Sequence, residues 1–467
     1  MAEIDDLKLA QKLRESVWVT DEIDNLKLAQ KLRETVWDKY TKSVYWMEKT
    51  DRFYLRLPSL TWAGYSILNL RTILDHKGFF GWISEPDPKL RKIIEDRFWK
   101  EFRAHVMTEN IIKGAGLVGG RCEGVLQFGT EKFLVTGSPH IIEPADGDCP
   151  FILNFLTQLL PNGQSDYFLA WLRQAYFHLR NQTRSYGQAL FLVGPRQCGK
   201  SLLQVRLITP ILGGRSAEPF TVITGETRFN SDLVRADHLM IEDKGPSWRG
   251  FDRNKFADNI KAITVNVSER CEGKGQDAFT VYPIRRLTIS INEESQNFQL
   301  IPALDDSILD KLMIFRCETV DFGCPVIEIE SRMEKEIPFF LNHLIKWDAP
   351  EHVLSPDRFG VKPYMDPAYR QRVEEHSYDE TVRQMLDVYL HEGDQEFIEG
   401  NASQIWGMLS ASSSASKMLM QVTRSPNSLG RQLVILCKKY PESYTKYPRI
   451  AGGTVYKISR EKEKVLI

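Results

Sequence analysis

At 467 residues the chain is long enough for about three domains, each with its own core. Its 61 Lys and Arg balance 62 Asp and Glu, which excludes a global basic field and confines any nucleic-acid contact to local patches. Hydrophobic content of 42% and charge of 26% describe an ordinary globular composition, and no apolar run approaches the roughly 18 residues of a membrane span. The acidic, amphipathic N-terminus lacks a signal-peptide apolar region. The seven cysteines are scattered without a C-x-x-C, so they read as reduced thiols of a cytoplasmic protein, neither a disulfide framework nor a zinc site. The nine histidines form no H-E-x-x-H.

The chain opens on a near-perfect repeat: residues 3–18 recur at 22–37, with only Asp6/Asn25 and Ser16/Thr35 differing. Ile4, Leu7, Ala10, Leu13 and Val17 are spaced for one helical face. A pair of helices packing between subunits is one reading; a repeat this exact favours a recent tandem duplication. Residues 40–150 read as a small α+β region. Strands at 43–47 and 53–57 flank a turn at Lys49-Thr50-Asp51. Asp87-Pro88 is a cap and first-turn pair that opens a helix through Val106. A second hairpin, 125–128 with 132–136, turns at Gly129. From Ser165 a helix carries Phe168, Leu169, Leu172, Ala175, Tyr176 and Leu179 on one face.

The motif of greatest chemical content follows. The apolar run Ala189-Leu190-Phe191-Leu192-Val193 leads into Gly194-Pro195-Arg196-Gln197-Cys198-Gly199-Lys200-Ser201, and Leu202 continues a helix. Strand, G-x-x-x-x-G-K-S and helix are the phosphate-binding loop in its expected context. Gly194 and Gly199 permit a tight turn whose N–H groups, with a helix N-terminus, face phosphates. Lys200 supplies a point charge to the β/γ-phosphates and Ser201 a hydroxyl to Mg²⁺. Pro195, Cys198 and Leu202 complete the stretch expected to hold the nucleotide, with ATP and Mg²⁺ as the cofactors.

Two further strands are expected behind it. Leu239-Met240-Ile241 ends in Glu242-Asp243, and Leu287-Thr288-Ile289-Ser290-Ile291 ends in Asn292. Carboxylates at a strand's C-terminal end suit metal holding and water activation, and an Asn at the next strand's tip suits that water or the γ-phosphate. Between them, Lys274 stands between Gly273 and Gly275, flanked by β-prone segments that include Arg270. A hairpin tip projecting a cation and a plain exposed turn fit that stretch equally. Lys311 and Arg316 follow as cations near a strand; a solvated helix end or strand end is the alternative.

Residues 346–375, rich in Pro and charge, read as a linker. Helices at 379–389, 402–409 and 428–439 and a hairpin across Ala451-Gly452-Gly453 give a winged-helix order. Arg424, Arg431, Lys438, Lys439, Lys446 and Arg449 add a local basic patch, which suits DNA or a docked protein.

Together these motifs resemble the superfamily-three helicases, in particular phage- and poxvirus-type primase-helicase proteins with an AAA+-like motor. The phosphate loop, Glu242-Asp243, the Lys-bearing stretch from Lys261 through Lys274, and Asn292 stand in that family's order. The resemblance covers 165–320 well and the flanks more loosely. It implies an α/β P-loop motor with a parallel core sheet, preceded by a small α+β and helical region and followed by a winged-helix domain. The corresponding boundaries are 1–39 for the repeated segment, 40–164 for the α+β region and helical collar, 165–345 for the motor, 346–375 for the linker and 376–467 for the winged helix. It also implies a homo-oligomeric ring, a hexamer for preference, that threads a single strand, DNA in the first instance, with Lys274 on its phosphates. Arg270, Arg431, Lys438 and Lys446 are the further nucleic-acid candidates.

The chain departs from the family at two places. Walker B reads Glu-Asp, which leaves the metal and base roles open between Glu242 and Asp243. Lys311 stands where relatives place a trans-acting arginine, with Arg316 as the alternative. No convincing primase motif is found, and if the chain is a replication protein, a separate primase or polymerase is expected to do the priming. The leading expectation is an ATP-hydrolysing helicase or translocase of a phage-like or mobile-element replication system, without membrane association. A non-translocating ATP-dependent switch that binds DNA or directs assembly is the alternative. A small-molecule kinase is disfavoured by the Lys274 stretch and Asn292.

Overall fold

The computed structural model describes residues 22–56, 62–242, 253–273, 278–293, 300–302, 307–370, 378–422, 425–448 and 454–460. They divide between two units, Met1–Ser138 and Pro139–Ile467.

In the first unit, helix α1 (Glu22–Thr41) is the second copy of the repeat. Its Trp37 lies 5.7 Å, centroid to centroid, from Phe98, and Arg33 pairs with Glu101 at 2.7 Å. The first copy lies outside the described residues. The expected hairpin is present as β1 (Val44–Met47) and β2 (Arg52–Arg56), with Asp51 taking a left-handed conformation at the turn and β3 (Trp62–Tyr65) adding a third strand. Ser66 caps α2 (Ile67–His76). Asp87 caps α3 (Pro88–Glu109) by accepting from the Lys89 N–H, with Pro88 in the first turn where no N–H is needed. Phe79 packs on α3, 5.0 Å from Phe98 and 4.8 Å from Phe102. Strands β4 (Gly114–Gly116), β5 (Gly124–Phe128) and β6 (Glu131–Val135) form the second sheet, in which β5 and β6 turn at Gly129.

The second unit begins with α4 (Pro150–Leu159) and α5 (Gln164–Arg180). Glu336 supplies the missing cap of α4, its carboxylate accepting from the Phe151 and Ile152 N–H groups at 3.2 and 3.0 Å. Strand β7 (Ala189–Gly194) is wholly buried. Helix α6 (Lys200–Leu202) runs through a π-helical stretch, Leu203–Ile208, into α7 (Thr209–Ile211). Pro210 has no N–H to give to the Arg206 carbonyl, which accounts for the widened turn. There follow β8 (Ser216–Ala217), α8 (Phe220–Ile223), α9 (Ser231–Arg235), β9 (His238–Ile241), α10 (Arg253–Val265), β10 (Glu269–Cys271), β11 (Phe279–Val281), β12 (Arg286–Asn292), β13 (Leu312–Arg316) and α11 (Val326–Lys346).

Five of these strands make one sheet, β13-β7-β12-β9-β8, with every pair parallel. The period of two sorts its side chains into two cores. Leu190, Leu192, Met313 and Phe315 face the layer holding α4, α5 and α11, whereas Ala189, Phe191, Val193, Leu312 and Ile314 face the other. From β7 the chain passes to the far edge at β8, and from β12 it returns to the opposite side at β13, so β7 stands at a topological switch point.

The segment 346–375 is not the free linker its prolines suggest, over the part described. Val353 and Val361 are buried in one core and Tyr369 in the other. Residues 364–366 run beside β13, where the Ile314 N–H donates to the Tyr364 carbonyl at 2.8 Å and the Asp366 N–H donates to the Ile314 carbonyl at 3.0 Å.

The C-terminal part holds α12 (Tyr378–Glu392), β14 (Phe397–Asn401), α13 (Ala402–Ala411), α14 (Ala415–Val422), α15 (Pro426–Lys439), β15 (Tyr444–Lys446) and β16 (Val455–Ser459). The hairpin expected from the sequence pairs as β15 and β16, and β14 adds to the other side of β16. Helix α14 and strand β14 are additional to the three helices and hairpin expected from the sequence. Among the described residues no helix is long and apolar enough to cross a membrane.

Candidate nucleotide site

The phosphate loop joins the C-terminal end of β7 to α6, as its sequence dictates. Gln197 and Gly199 both take positive φ, 61° and 115°, which turns successive N–H groups to one side of the loop. Packing enforces the two glycines as well as the turn. A Cβ on Gly194 falls 2.4 Å from the Cys317 carbonyl oxygen, and one on Gly199 falls 3.0 Å from the Phe155 ring. Cys317, just past β13, donates its N–H to the Val193 carbonyl at 2.7 Å, so the neighbouring strand closes against the loop.

Lys200 is buried, at 5% exposure. Its ammonium donates to the carbonyls of Gly194 at 2.9 Å and Pro195 at 2.6 Å and to Asn292 Oδ1 at 3.1 Å. Parallel register sets Asn292 opposite Gly194, so the two strand tips meet at the loop. Ser201 is exposed on the first turn of the helix, Leu202 is half-buried, and Arg196 and Gln197 are exposed. Glu242 directly follows β9 on the same edge of the sheet and is exposed; Asp243 lies outside the described residues. A hydroxyl and acidic oxygens are hard donors that suit Mg²⁺. Among the described residues no cluster of three or more His, Cys, Asp or Glu makes a separate metal site.

The loop's Cys198 is also buried and within 3.7 Å of the Lys200 ammonium. A hydrogen bond with the Cys317 thiol, together with the Lys200 charge, holds the Cys198 thiol down to about 6, against burial. Burial and the adjoining Cys198 sulfur push Cys317 up.

Several contributors carry no motif. The buried Gln164 clamps the end of β13, giving an N–H to the Arg316 carbonyl at 2.9 Å and accepting the Arg316 N–H at 2.7 Å. Tyr369 donates to Glu293, directly after Asn292, and lies 3.3 Å from the Val193 carbonyl. Burial and that carboxylate push the phenol up. Behind the helix, His238 contacts Thr209 Oγ1 at 2.7 Å and Thr288 Oγ1 at 2.8 Å, and Gln204 donates to Thr288 at 2.7 Å. Burial lowers His238 to about 3, so the imidazole is neutral. The polar alternation Thr288, Ser290 within β12 is the one sequence sign of this network.

The other candidates are spread through the unit. Arg316, at the P-loop end of β13, pairs with Glu318 at 2.9 Å and is partly exposed. Lys311 lies at the opposite end of that strand, buried, donating to Ser307 O at 2.7 Å and Asp310 at 2.6 Å. Strands β10 and β11 form an antiparallel pair; Arg270 projects from it, well exposed, 3.4 Å from Glu272. The tip with Lys274 lies outside the described residues. Lys261, read with that hairpin from the sequence, belongs instead to helix α10, where it pairs with Asp258 at 3.6 Å. On α15, Leu429, Leu433 and Leu436 face inward while Arg431, Ile435 and Lys438 are exposed at i, i+4 and i+7, on one face. Lys446 is exposed on β15; Arg424 and Arg449 lie outside the described residues.

A family of unknown function, DUF5906, matches residues 192–307, a span that begins in β7 and takes in the phosphate loop and Asn292. Comparison with curated proteins gives no match. Among solved structures, the apo C terminal region (305–718) of NrS-1 is similar with a TM-score of 0.51 and 14% identity, over 94% of this chain and 100% of that one. Its A form gives 0.50 and 14%, over 90% and 96%. JCV helicase overlaps less, with a TM-score of 0.28 and 16% identity over 49% of this chain and 60% of that one, and carries no argument. The chain is thus similar in fold to the C terminal region of NrS-1 over nearly its whole length.

Proposed function

We propose that this protein is an ATP-dependent nucleic-acid helicase or translocase of the superfamily-three, AAA+-like kind, working as a homo-oligomeric ring on a single strand, DNA in the first instance. The observation that carries the reading is the hydrogen bond from Lys200, at the start of α6, to Asn292 at the tip of the strand beside β7, with Glu242 directly after the next strand of the same sheet.

The loop N–H groups and the start of α6 bind the phosphates. Lys200 now donates to three neutral oxygens, with the Cys198 sulfur 3.7 Å away; a phosphate oxygen is charged and draws the ammonium more strongly than those oxygens do. Ser201, Glu242 and Asp243 are the residues that would hold Mg²⁺, which when bound neutralises charge on the β- and γ-oxygens. One carboxylate of the Glu242-Asp243 pair takes the proton of the attacking water, and Asn292 orients that water or the terminal phosphate. Lys311 or Arg316 is the trans-acting cation of this scheme.

The β10–β11 pair is the base from which Lys274 would reach strand phosphates, with Arg270 on its arm. The C-terminal helices and three-stranded sheet suit a winged-helix role, with Arg431, Lys438 and Lys446 on nucleic acid. The test is the ATPase rate with and without single-stranded DNA, beside a native mass measurement. Stimulation by the strand together with a ring mass supports the motor. Turnover indifferent to the strand favours the non-translocating switch.

A further inference from the structure

At the N-terminal edge of the five-stranded sheet lies a cavity of about 220 Å³, lined among others by Arg184, Gly187, Asn259, Ser268, Arg285 and Arg286. Strand β12 runs from Arg286 at this cavity to Asn292 at the phosphate loop. Six steps of about 3.3 Å put some ~20 Å between them, so the cavity is separate from the nucleotide site.

Its charge is unbalanced. Four arginines, 184, 270, 285 and 286, line it against one acid, Glu269. Glu269 is taken by Arg285, and Arg270 turns to Glu272. Arg286 is buried, at 3% exposure. Its terminal nitrogens donate to Ser185 Oγ at 2.7 Å and to backbone carbonyls of Arg285 at 3.1 Å, Tyr186 at 3.4 Å and Ser185 at 3.5 Å. Its Nε has no hydrogen-bond partner. Arg184 donates to the Asn266 carbonyl. No carboxylate among the described residues pairs with either Arg184 or Arg286.

Carbonyl acceptors satisfy N–H groups but leave a positive charge standing, and a buried charge without a counter-ion is costly. Burial and the charge of Arg184 lower Arg286 only to about 10, so it stays protonated at neutral pH. The guanidinium also has a place made for it, since a Cβ on Gly187 would fall 2.2 Å from its Nε. A packing device for the turn before β7 needs no second arginine beside the first. Two adjacent guanidiniums with amide and hydroxyl neighbours match a tetrahedral oxyanion.

We propose that this cavity is a second binding site, for a small phosphate-type anion held by Arg184 and Arg286. Free phosphate and the phosphate of a mononucleotide share that chemistry and suit a cavity of about 220 Å³.

The test is thermal stability and equilibrium binding of the full chain with inorganic phosphate and with AMP, at matched ionic strength against chloride. Both are repeated on Lys200→Ala, which disables the nucleotide loop, and on Arg184→Gln, which removes one cavity charge at a side chain that itself makes none of the Arg286 hydrogen bonds. Phosphate should raise Tm in wild type and Lys200→Ala alike, and Arg184→Gln should bind about tenfold more weakly, with its unliganded Tm and circular dichroism close to wild type. A preference for AMP over phosphate in Lys200→Ala would identify the mononucleotide, and the reverse the free ion. No Tm shift by either anion in wild type, a shift lost in Lys200→Ala, or undiminished binding by Arg184→Gln overturns the proposal. None of these results bears on ATP hydrolysis at the loop, so the two readings fail separately.

Discussion

Lys200 and Asn292, 92 residues apart in the chain, are joined by a 3.1 Å hydrogen bond from the lysine ammonium to the asparagine carbonyl oxygen. The bond ties the first turn behind the phosphate loop to the tip of the neighbouring strand. A phosphate that draws Lys200 away also changes what Asn292 meets. Lys200→Ala should therefore abolish ATP turnover in a folded protein. Asn292→Ala should lower kcat roughly 100-fold with far less change in KM, because its part lies in orienting the reacting groups. Steady-state hydrolysis assays check both, and normal turnover by Lys200→Ala removes the nucleotide-site assignment.

Glu242→Gln and Asp243→Asn should each reduce kcat far more than ATP affinity, since water activation matters in the transition state. The larger kcat defect identifies the base. Wild-type hydrolysis by both variants would show that the pair after β9 does not serve the site.

Gly194→Ala brings a methyl group to 2.4 Å from the Cys317 carbonyl oxygen, a backbone atom that cannot turn aside. The variant should lose about 1–3 kcal/mol of stability, along with nucleotide binding. Gly116→Ala, whose Cβ meets nothing within 4 Å, should stay within about 0.5 kcal/mol of wild type. Denaturant midpoints compare the two, and equal midpoints contradict the close approach.

His238 gives stability a defined pH dependence. Its folded pKa is lowered by burial to about 3, against a reference value of 6.5. As the pH falls the unfolded chain takes the proton first, so the contribution is complete above about 6.5 and is lost progressively toward about 3. In that window the slope from this one group approaches 1.4 kcal/mol per pH unit, roughly, and His238→Gln should remove it. Denaturation of the two proteins from pH 7 to pH 5 measures the difference, and parallel curves contradict a buried neutral imidazole.

The legible parts of this chain were those in which a few adjacent residues carry both the local structure and the chemistry. The phosphate loop announces its strand, turn and helix within a dozen residues, and Asn292 and Glu242 mark strand ends through polar residues after apolar runs. The prolines of 346–375 suggested a linker because the partners that bury Val361 and Tyr369 come from far away in the chain. One of them is the Gln188 amide, which donates to the Val361 carbonyl across 173 residues. Strand β14, only five residues long and broken in pattern by Gly400, is held by pairing with β16, which no local signal reports. Gln164 and Cys317 matter through the backbone of partners more than 100 residues away. Lys261 reads as β-prone by its neighbours Ile260 and Ile263, yet Phe256 and Ile260 recur at helical spacing and are buried together.

Separation of a forked DNA duplex, followed for wild type, Lys200→Ala and Lys274→Glu, tests the motor most directly. Wild type should part the strands only with ATP and Mg²⁺. Lys200→Ala should fail for want of hydrolysis. Lys274→Glu should keep basal ATPase while losing strand stimulation and unwinding, because a strand phosphate left without its cation no longer holds the threaded strand. Its DNA binding should also fall less steeply with salt, by about one counterion for each phosphate so released. ATP hydrolysis by wild type without any strand separation, or unwinding by Lys274→Glu at the wild-type rate, would contradict the threaded motor.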